Sequence, residues 1–483
     1  MNSTIDSSLP NGNTSVPLPS IVDLANRPFP APTVTSGALV TALQASIQSR
    51  LSKNIWFVYP PNVKASPHAI DFSLGDYLSF TSSDRFRKHL LDTINRSPDI
   101  LGSGGTRVLV NPHSITSLEA RLESFFHVPT GGALLCQSGY TGNLTFLSAV
   151  PQPGDVVVYD EFIHASMHHG LQTCQAEKQV SFKHNDLGDL RRVLGGLVGA
   201  DSDLGSRLRG GTSTVLLVVE SLYSMDGTIA CLAEQIRVLE ELLPLGNGVM
   251  FIDEAHATGL YGPQGRGRVA FEGLENHPRI LGRLCTFGKA LGNSGAVLLT
   301  QPVVNRYLAN YGRPVIYSTT PTNLSVLSIG CSFDMLEDGT ASVLATQLLT
   351  SCKWFVETLR TRLARNGVPQ DIMYASVHAT AGDDITAFTP VIPIMSSPRN
   401  KTDTVHPVTE LELELRTNHN IVVRAIPFPI VPRGHERLRV CLNVDHGRED
   451  LEKLLGALVG WATRETAIRA ALREEQALGR SRL

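Results

Sequence analysis

Five short stretches of this 483-residue chain set reactive side chains beside apolar runs. In Thr286-Phe287-Gly288-Lys289-Ala290-Leu291-Gly292-Asn293-Ser294-Gly295-Ala296, one lysine stands among small residues between two strand-like segments. Lysine is costly to bury and glycines give its stem little packing, so either the amine points to water or a tight pocket needs it. Asp253 follows Val249-Met250-Phe251-Ile252 directly, and His256 lies on the loop just beyond. A carboxylate ending so apolar a strand sits at a buried lip and needs a donor or a cation. His164 falls just past a strand at Val156–Tyr159, and Ser224 lies in the loop after Val215–Val219. Cys136-Gln137-Ser138-Gly139-Tyr140-Thr141-Gly142 is a small-residue turn opening a helix, where backbone N–H groups and the helix dipole suit a phosphate.

Singly, these are ordinary features: a loop histidine commonly packs or meets solvent, and Ser-Gly before a helix is usually a cap. Gly262-Pro263-Gln264-Gly265-Arg266-Gly267 is also glycine-rich, but it lacks the Lys-Ser/Thr of a phosphate loop and reads as a plain loop. Together the five stretches have one chemical explanation. A lysine amine forms a Schiff base with the aldehyde of pyridoxal 5′-phosphate (PLP), and an aspartate keeps the pyridine nitrogen protonated, making the ring an electron sink. One histidine can stack on the ring and another can bond its hydroxyl, while Thr286 and helix-end amides hold the phosphate.

Such groups must come from strand ends, and the sequence supplies the strands. Short apolar runs at Ala133–Cys136, Val156–Tyr159, Val215–Val219, Val249–Ile252, Leu284–Phe287 and Ala296–Leu299 alternate with helical patterns at 142–149, 186–197 and 231–243. That alternation predicts an α/β fold with a mostly parallel, doubly wound central sheet, whose strand carboxyl ends collect ligands. Further helices are expected over 37–54, 84–94 and 117–126, with a short strand starting at Ile70. A long helical region over 324–366, strands near Thr389–Ile394, Ile421–Ala425 and Arg437–Leu442, and a charged helix over Arg448–Leu478 suggest a smaller C-terminal α+β domain. The expected division is a disordered arm rich in Ser, Asn, Pro and Thr at 1–35, an N-terminal helix-and-strand segment at 36–95, a large domain at 96–330 and a small one at 331–483.

Bulk properties exclude several classes. A net charge of −3 gives no reason to expect nucleic acid, and no apolar run approaches the ~18 residues of a membrane span. The seven cysteines are scattered, without metal-ligand or redox spacing, which suits a reducing compartment and predicts no metal. The amino terminus lacks the basic and apolar regions of a secretory signal, so the glycosylation patterns at Asn2, Asn13 and Asn143 are read as chance. The final Ser481-Arg482-Leu483 is a conservative variant of a peroxisomal address, and otherwise a cytoplasmic location is expected.

Over roughly residues 68–460 the chain resembles the α-oxoamine synthases, fold-type I PLP enzymes that condense an amino acid with an acyl thioester. The resemblance rests on Gly102-Ser103-Gly104-Gly105-Thr106-Arg107, Tyr159-Asp160-Glu161-Phe162-Ile163-His164-Ala165-Ser166, Asp253-Glu254-Ala255-His256-Ala257-Thr258-Gly259, Thr286 through Gly292, Ile316-Tyr317-Ser318-Thr319, and Val431 through Arg439. It implies that Lys289 is the Schiff-base lysine and the catalytic acid/base, that Asp253 pairs the pyridinium and that His164 stacks on the ring. It further implies that His256 and Ser224 contact the ring hydroxyl, and that Thr286 with the Ser138-Gly139-Tyr140 turn holds the phosphate. Thr319 would reach the cofactor of a neighbouring subunit in a homodimer, and Arg439 would bind the amino-acid carboxylate, to which its planar fork is suited. The implied reaction is a decarboxylative condensation yielding an α-amino ketone, free thiol and carbon dioxide. The branch that joins L-alanine to pimeloyl-CoA in biotin synthesis is the most similar.

Three departures bear on substrate. Ser73-Leu74-Gly75-Asp76-Tyr77-Leu78 has Gly75 where the family usually carries an asparagine that helps bind the amino-acid carboxylate. Val108-Leu109-Val110-Asn111-Pro112-His113 is one residue short, and Ala425-Ile426-Pro427-Phe428-Pro429 replaces the usual Ile-Arg-Pro-Pro. The alternatives are therefore another amino acid or acyl chain in specialised metabolism, an aminotransferase sharing the cofactor machinery, and a catalytically inactive partner subunit.

Overall fold

A computed structural model describes residues 37–52, 69–102, 104–380, 382–399 and 406–480, the last six by backbone only. The arm at 1–35, Ser103 and the tripeptide Ser481-Arg482-Leu483 lie outside the described residues.

The strands are β1 (Ile70–Asp71), β2 (Ala133–Cys136), β3 (Val156–Asp160), β4 (Lys178–Phe182), β5 (Val215–Glu220), β6 (Gly248–Asp253), β7 (Ile280–Thr286), β8 (Ala296–Thr300), β9 (Tyr374–Ala375), β10 (Val391–Met395), β11 (Ile421–Val422), β12 (Arg424–Ile426) and β13 (Arg437–Cys441). Seven of them form the central sheet in the order β2-β8-β7-β6-β5-β3-β4. All neighbours are parallel except β8, which runs against both β2 and β7.

The pleat explains why both faces are covered. Val156, Val158, Val215, Leu217, Val219, Met250 and Ile252 face one way and pack with Leu190, Leu194, Ile236 and Leu239, from helices Leu187–Val198 and Leu232–Leu242. The alternate residues Val157, Leu216, Val218, Phe251 and Leu284 face the other way. They pack with Phe146, Leu147, Met167 and Leu171, from helices Gly139–Ala149 and Ala165–Thr173. A period of two thus divides each apolar strand between two helical layers.

The structure differs from the sequence expectations at several elements. β4, which the sequence did not announce, is an edge strand whose Lys178, Gln179 and Ser181 are exposed, so it lacks an apolar run. The helical region expected over 324–366 consists of two helices, Asn323–Glu337 and Thr340–Arg365, separated at Gly339 with φ 85°. β7 starts earlier than expected and ends at Thr286, because Phe287 already donates its N–H across the turn to Gly295 O. Residues 165–173, to which the sequence reading assigned no element, form a helix capped by His164 itself.

Strands β12-β13-β10-β9 form a second, antiparallel sheet. β1 pairs with β11, and Cys441 N–H donates to Phe72 O at 2.7 Å, so the segment around Tyr77 is fastened to the C-terminal sheet. No described helix is long and apolar enough to cross a membrane, and none of the seven cysteines forms a disulfide.

Candidate active site

The carboxyl ends of β3, β5, β6 and β7 lie side by side and carry Asp160, Glu220, Asp253 and Thr286. Asp253 is 4% exposed. Its carboxylate accepts from Asn143 Nδ2 at 2.7 Å and from the Ala255 N–H at 2.8 Å. The same Asn143 amide donates to Ser166 Oγ at 3.0 Å, which bonds His164 Nδ1 at 2.7 Å. His164 Nδ1 also accepts from Ser166 N–H, so this nitrogen is the unprotonated one. One chain of hydrogen bonds therefore sets both the aspartate and the face of the histidine ring. Burial pushes His164 below the usual histidine value; Asp253 opposes the shift and Lys289 adds to it.

Asn143, in a glycosylation pattern, is 1% exposed and thus cannot carry a sugar. Sequence reasoning missed its role; the available signal was an amide, a poor helix former, in a helix otherwise small or apolar.

His256 is 4% exposed, and its Nδ1 lies 2.6 Å from Tyr77 OH. Burial, then the positive charges of Lys289 and Arg439, keep this imidazole well below its usual pKa and hence neutral. Tyr77 is a second functional neighbour the sequence did not reveal, two residues beyond the Gly75 that drew attention. Arg439, on β13, donates from Nε to the carbonyl of Ser224 at 2.6 Å and so pins the loop after β5. Arg437 reaches Met225 O in the same loop at 3.2 Å.

The Lys289 stem runs beside Gly75: a Cβ there would lie 3.6 Å from Lys289 Cγ. Among the described residues the amine has no hydrogen bond or ion pair. Burial holds it below the ordinary lysine pKa, and Arg439 adds to this, while Asp253 and Glu220 pull the other way. A less basic amine is what proton abstraction near neutral pH requires.

Gly139 and Thr286 form the second half of the site. A Cβ on Gly139 would meet Thr286 Oγ1 at 3.2 Å, so only glycine lets the helix start approach that hydroxyl closely. Ser138 caps the helix, its Oγ accepting from Thr141 N–H at 3.1 Å. Tyr140 is 44% exposed; its hydroxyl bonds His169 Nδ1 at 2.9 Å and its ring stands edge-on to that of His164, with centroids 6.4 Å apart. Thr319 lies beside the residue that precedes the Ser138-Gly139 turn. It is exposed, bridges Thr106, and its carbonyl accepts from Gln137 Nε2.

Behind the site, His184 joins two strand-end loops, with Nδ1 2.9 Å from Asp160 Oδ1 and Nε2 3.1 Å from Asp226 Oδ2. Burial disfavours its charge, but the bonds to Asp160 and Asp226 outweigh burial and raise its pKa to about 9. A folded pKa above the unfolded one stabilises fully below the unfolded value near 6.5, and that gain is lost as pH rises through about 9. The contribution is of order 3 kcal/mol. Urea unfolding is expected to show the midpoint falling across this window; a midpoint flat through it would contradict the assignment.

The residues fit PLP. A lysine, a buried carboxylate on a fixed amide, a neutral histidine and a helix start beside a threonine hydroxyl match its aldehyde, ring nitrogen, ring hydroxyl and phosphate in type. Asn143 Oδ1 and Glu220 Oε1, on the strand-end side of the same crevice, are buried without a partner. An α/β fold with this set at its strand carboxyl ends defines a PLP-dependent transferase.

Comparison with known proteins narrows the class. The model for aminotransferase class I and II matches residues 67–458. The 8-amino-7-oxononanoate synthase of Emericella nidulans is 35% identical over 407 residues, covering 84% of this chain and 92% of that protein. The aminoacyl transferase sphA of Aspergillus fumigatus is 32% identical over 396 residues, covering 82% and 81%. In structure, serine palmitoyltransferase from S. paucimobilis, solved with PLP and myriocin bound, matches with a TM-score of 0.69 at 21% identity, over 89% of this chain and all of that one. The chain belongs to the aminotransferase class I and II family and, within it, to the α-oxoamine synthases, PLP-dependent enzymes that transfer acyl groups.

Proposed function

We propose that this protein condenses L-alanine with pimeloyl-CoA, releasing CoA and carbon dioxide and forming 8-amino-7-oxononanoate, a step of biotin synthesis. The observation that carries a condensing role is the Lys289 amine, weakened as a base by burial and Arg439, among Asp253, His256 and His164. PLP supplies an electron sink for the negative charge that forms at the amino acid's α-carbon. Lys289 takes the α-proton and returns one later, Arg439 holds a carboxylate, and Asp253 keeps a cationic partner opposite its fixed anion. The neutral His256, braced by Tyr77, offers a hydrogen bond without adding charge.

Gly75 favours a second reading, an α-oxoamine synthase with another amino acid or acyl chain. A missing side chain beside Lys289 leaves room where a polar group would otherwise face the amino acid, and a lost donor costs about 1–3 kcal/mol when its partner stays unpaired. The relative named aminoacyl transferase sphA supports the same alternative. An amino acid and acyl-CoA panel, read by mass spectrometry for the decarboxylated ketone, separates the two. Alanine with pimeloyl-CoA is expected to give the fastest product; a preferred serine or long acyl chain would refute the biotin assignment. Amino exchange with a keto acid, and no carbon dioxide, would sink both.

The working unit is read as a homodimer. Leu101, Leu109 and Tyr317 are 78%, 78% and 69% exposed, in or beside the strip where the carbonyls of Ile100, Leu101 and Gly105 accept from Leu324, Asn323 and Thr320 N–H. That apolar surface beside Thr319 suits a second copy of the chain. The carboxyl-terminal Ser481-Arg482-Leu483 supports a peroxisomal location, where a CoA thioester would be at hand.

A further inference from the structure

Nine carboxyl groups among the described residues are buried, and Glu220 alone has neither a hydrogen bond nor an ion pair. Glu254, the residue after Asp253, shows the usual solution: its Oε1 accepts from Val269 N–H at 2.9 Å and Arg283 stands 3.6 Å from Oε2. Glu220 is 2% exposed, and its Oε1 meets no donor. It is the last residue of β5 and the register partner of Asp253 on β6. Register partners on parallel strands point to the same face, about 4.8 Å apart, so the two carboxyls share one crevice with Lys289.

We propose that Glu220 is a positioning residue of the site that works as the neutral carboxylic acid, holding a proton beside Asp253 and Lys289. The reading of this crevice as the cofactor's pocket underlies the proposal; the identity of amino acid and thioester does not. An ionised Glu220 would be a buried anion with no hydrogen-bond donor, would tighten the proton on Lys289 and would oppose its release. As an acid, Glu220 leaves the lysine free to give the proton up and offers a donor of its own.

The surroundings support the neutral form. Burial raises Glu220 well above the usual carboxylate range; Asp253 adds to this, as do Asp226 and Asp160, and Lys289 opposes it. The remaining groups that feel its charge are Arg439 on β13 and the buried Tyr223 phenol.

The test uses the cofactor-free full chain. Infrared spectra at neutral pH are expected to contain the carbonyl stretch of an un-ionised carboxylic acid, absent in the near-isosteric Glu220→Gln protein. Thermal melts give an independent readout. The native state keeps a proton that the unfolded chain loses above its ordinary value near 4.5, so wild-type stability falls as pH rises, whereas Gln does not titrate. The stability of Glu220→Gln relative to wild type is therefore expected to grow with pH; a structural role alone would give a constant difference. Asp253→Asn serves as a second variant: removing the neighbouring anion should move the pH at which the band vanishes downward. No acid band in the wild type, or a pH-independent stability difference, would overturn the proposal. Neither readout involves substrate, so a failed substrate panel and a failed Glu220 test are distinguishable.

Discussion

Lys289→Ala is expected to reduce condensation at least about a thousandfold, because one substitution removes both the covalent anchor and the group that moves the α-proton. The side chain stands beside Gly75 without any partner among the described residues, so its removal breaks no packing network and the fold should survive. Its loss should appear first in the absorbance: the variant binds PLP reversibly and releases it on gel filtration, while the wild type retains it. Lys289→Arg restores positive charge but not a nucleophilic amine, so it should be as inactive as alanine. Retained turnover in either variant would show that the amine is not the reacting group.

Asp253→Ala is the second large effect, with a different signature. The anchor remains, so the protein should keep PLP and its visible absorbance. What goes is the fixed anion at the end of β6, and with it the acceptor for Asn143 Nδ2 and Ala255 N–H. Turnover should fall by about 10²- to 10⁴-fold, the range of a group acting on charge or protons in the transition state. Asp253→Asn keeps one acceptor oxygen and should recover most of the stability, about 1 kcal/mol per retained hydrogen bond, but little of the rate. A variant that loses PLP as readily as Lys289→Ala would mean that Asp253 acts in cofactor retention rather than in the chemistry. Equal activity in the asparagine and wild-type proteins would remove the charge from the argument.

The two substitutions probe different layers of the architecture. Lys289 sits on the turn after β7, where Gly292 and Gly295 take φ values of 62° and 111° that other residues rarely adopt. Asp253 sits within the last pair of the β5–β6 ladder, held by a side chain from the helical layer on its own face of the sheet. A change at the turn removes a reacting atom; a change at the strand end removes the field in which it reacts.

Much of this was legible in the residues. Strands buried on both faces of a sheet must be nearly continuous apolar runs, so six of the seven central strands announced themselves, and polar residues ending the parallel runs had to lie at the ligand-collecting edge. That logic reaches Lys289, Asp253, His256 and His164 from types and spacing. It fails for β4, whose edge position permits polar residues, and it does not locate the left-handed turn at Gly339 that divides the helical region over 324–366.

What only the tertiary structure decided is who meets whom. Asn143 lies 110 positions from Asp253 and Tyr77 lies 179 positions from His256, and no local pattern links such pairs. Glu220 reads in sequence as one more polar strand end, equal to Asp160 and Asp253. Its distinction is the absence of a donor in three dimensions, which depends on every element packed around it. The sequence by itself determined the chemistry, because a lysine, an aspartate and a phosphate seat on strand ends are chemically constrained in type. The protonation states on which that chemistry runs were decided by burial and by charges brought together from remote parts of the chain.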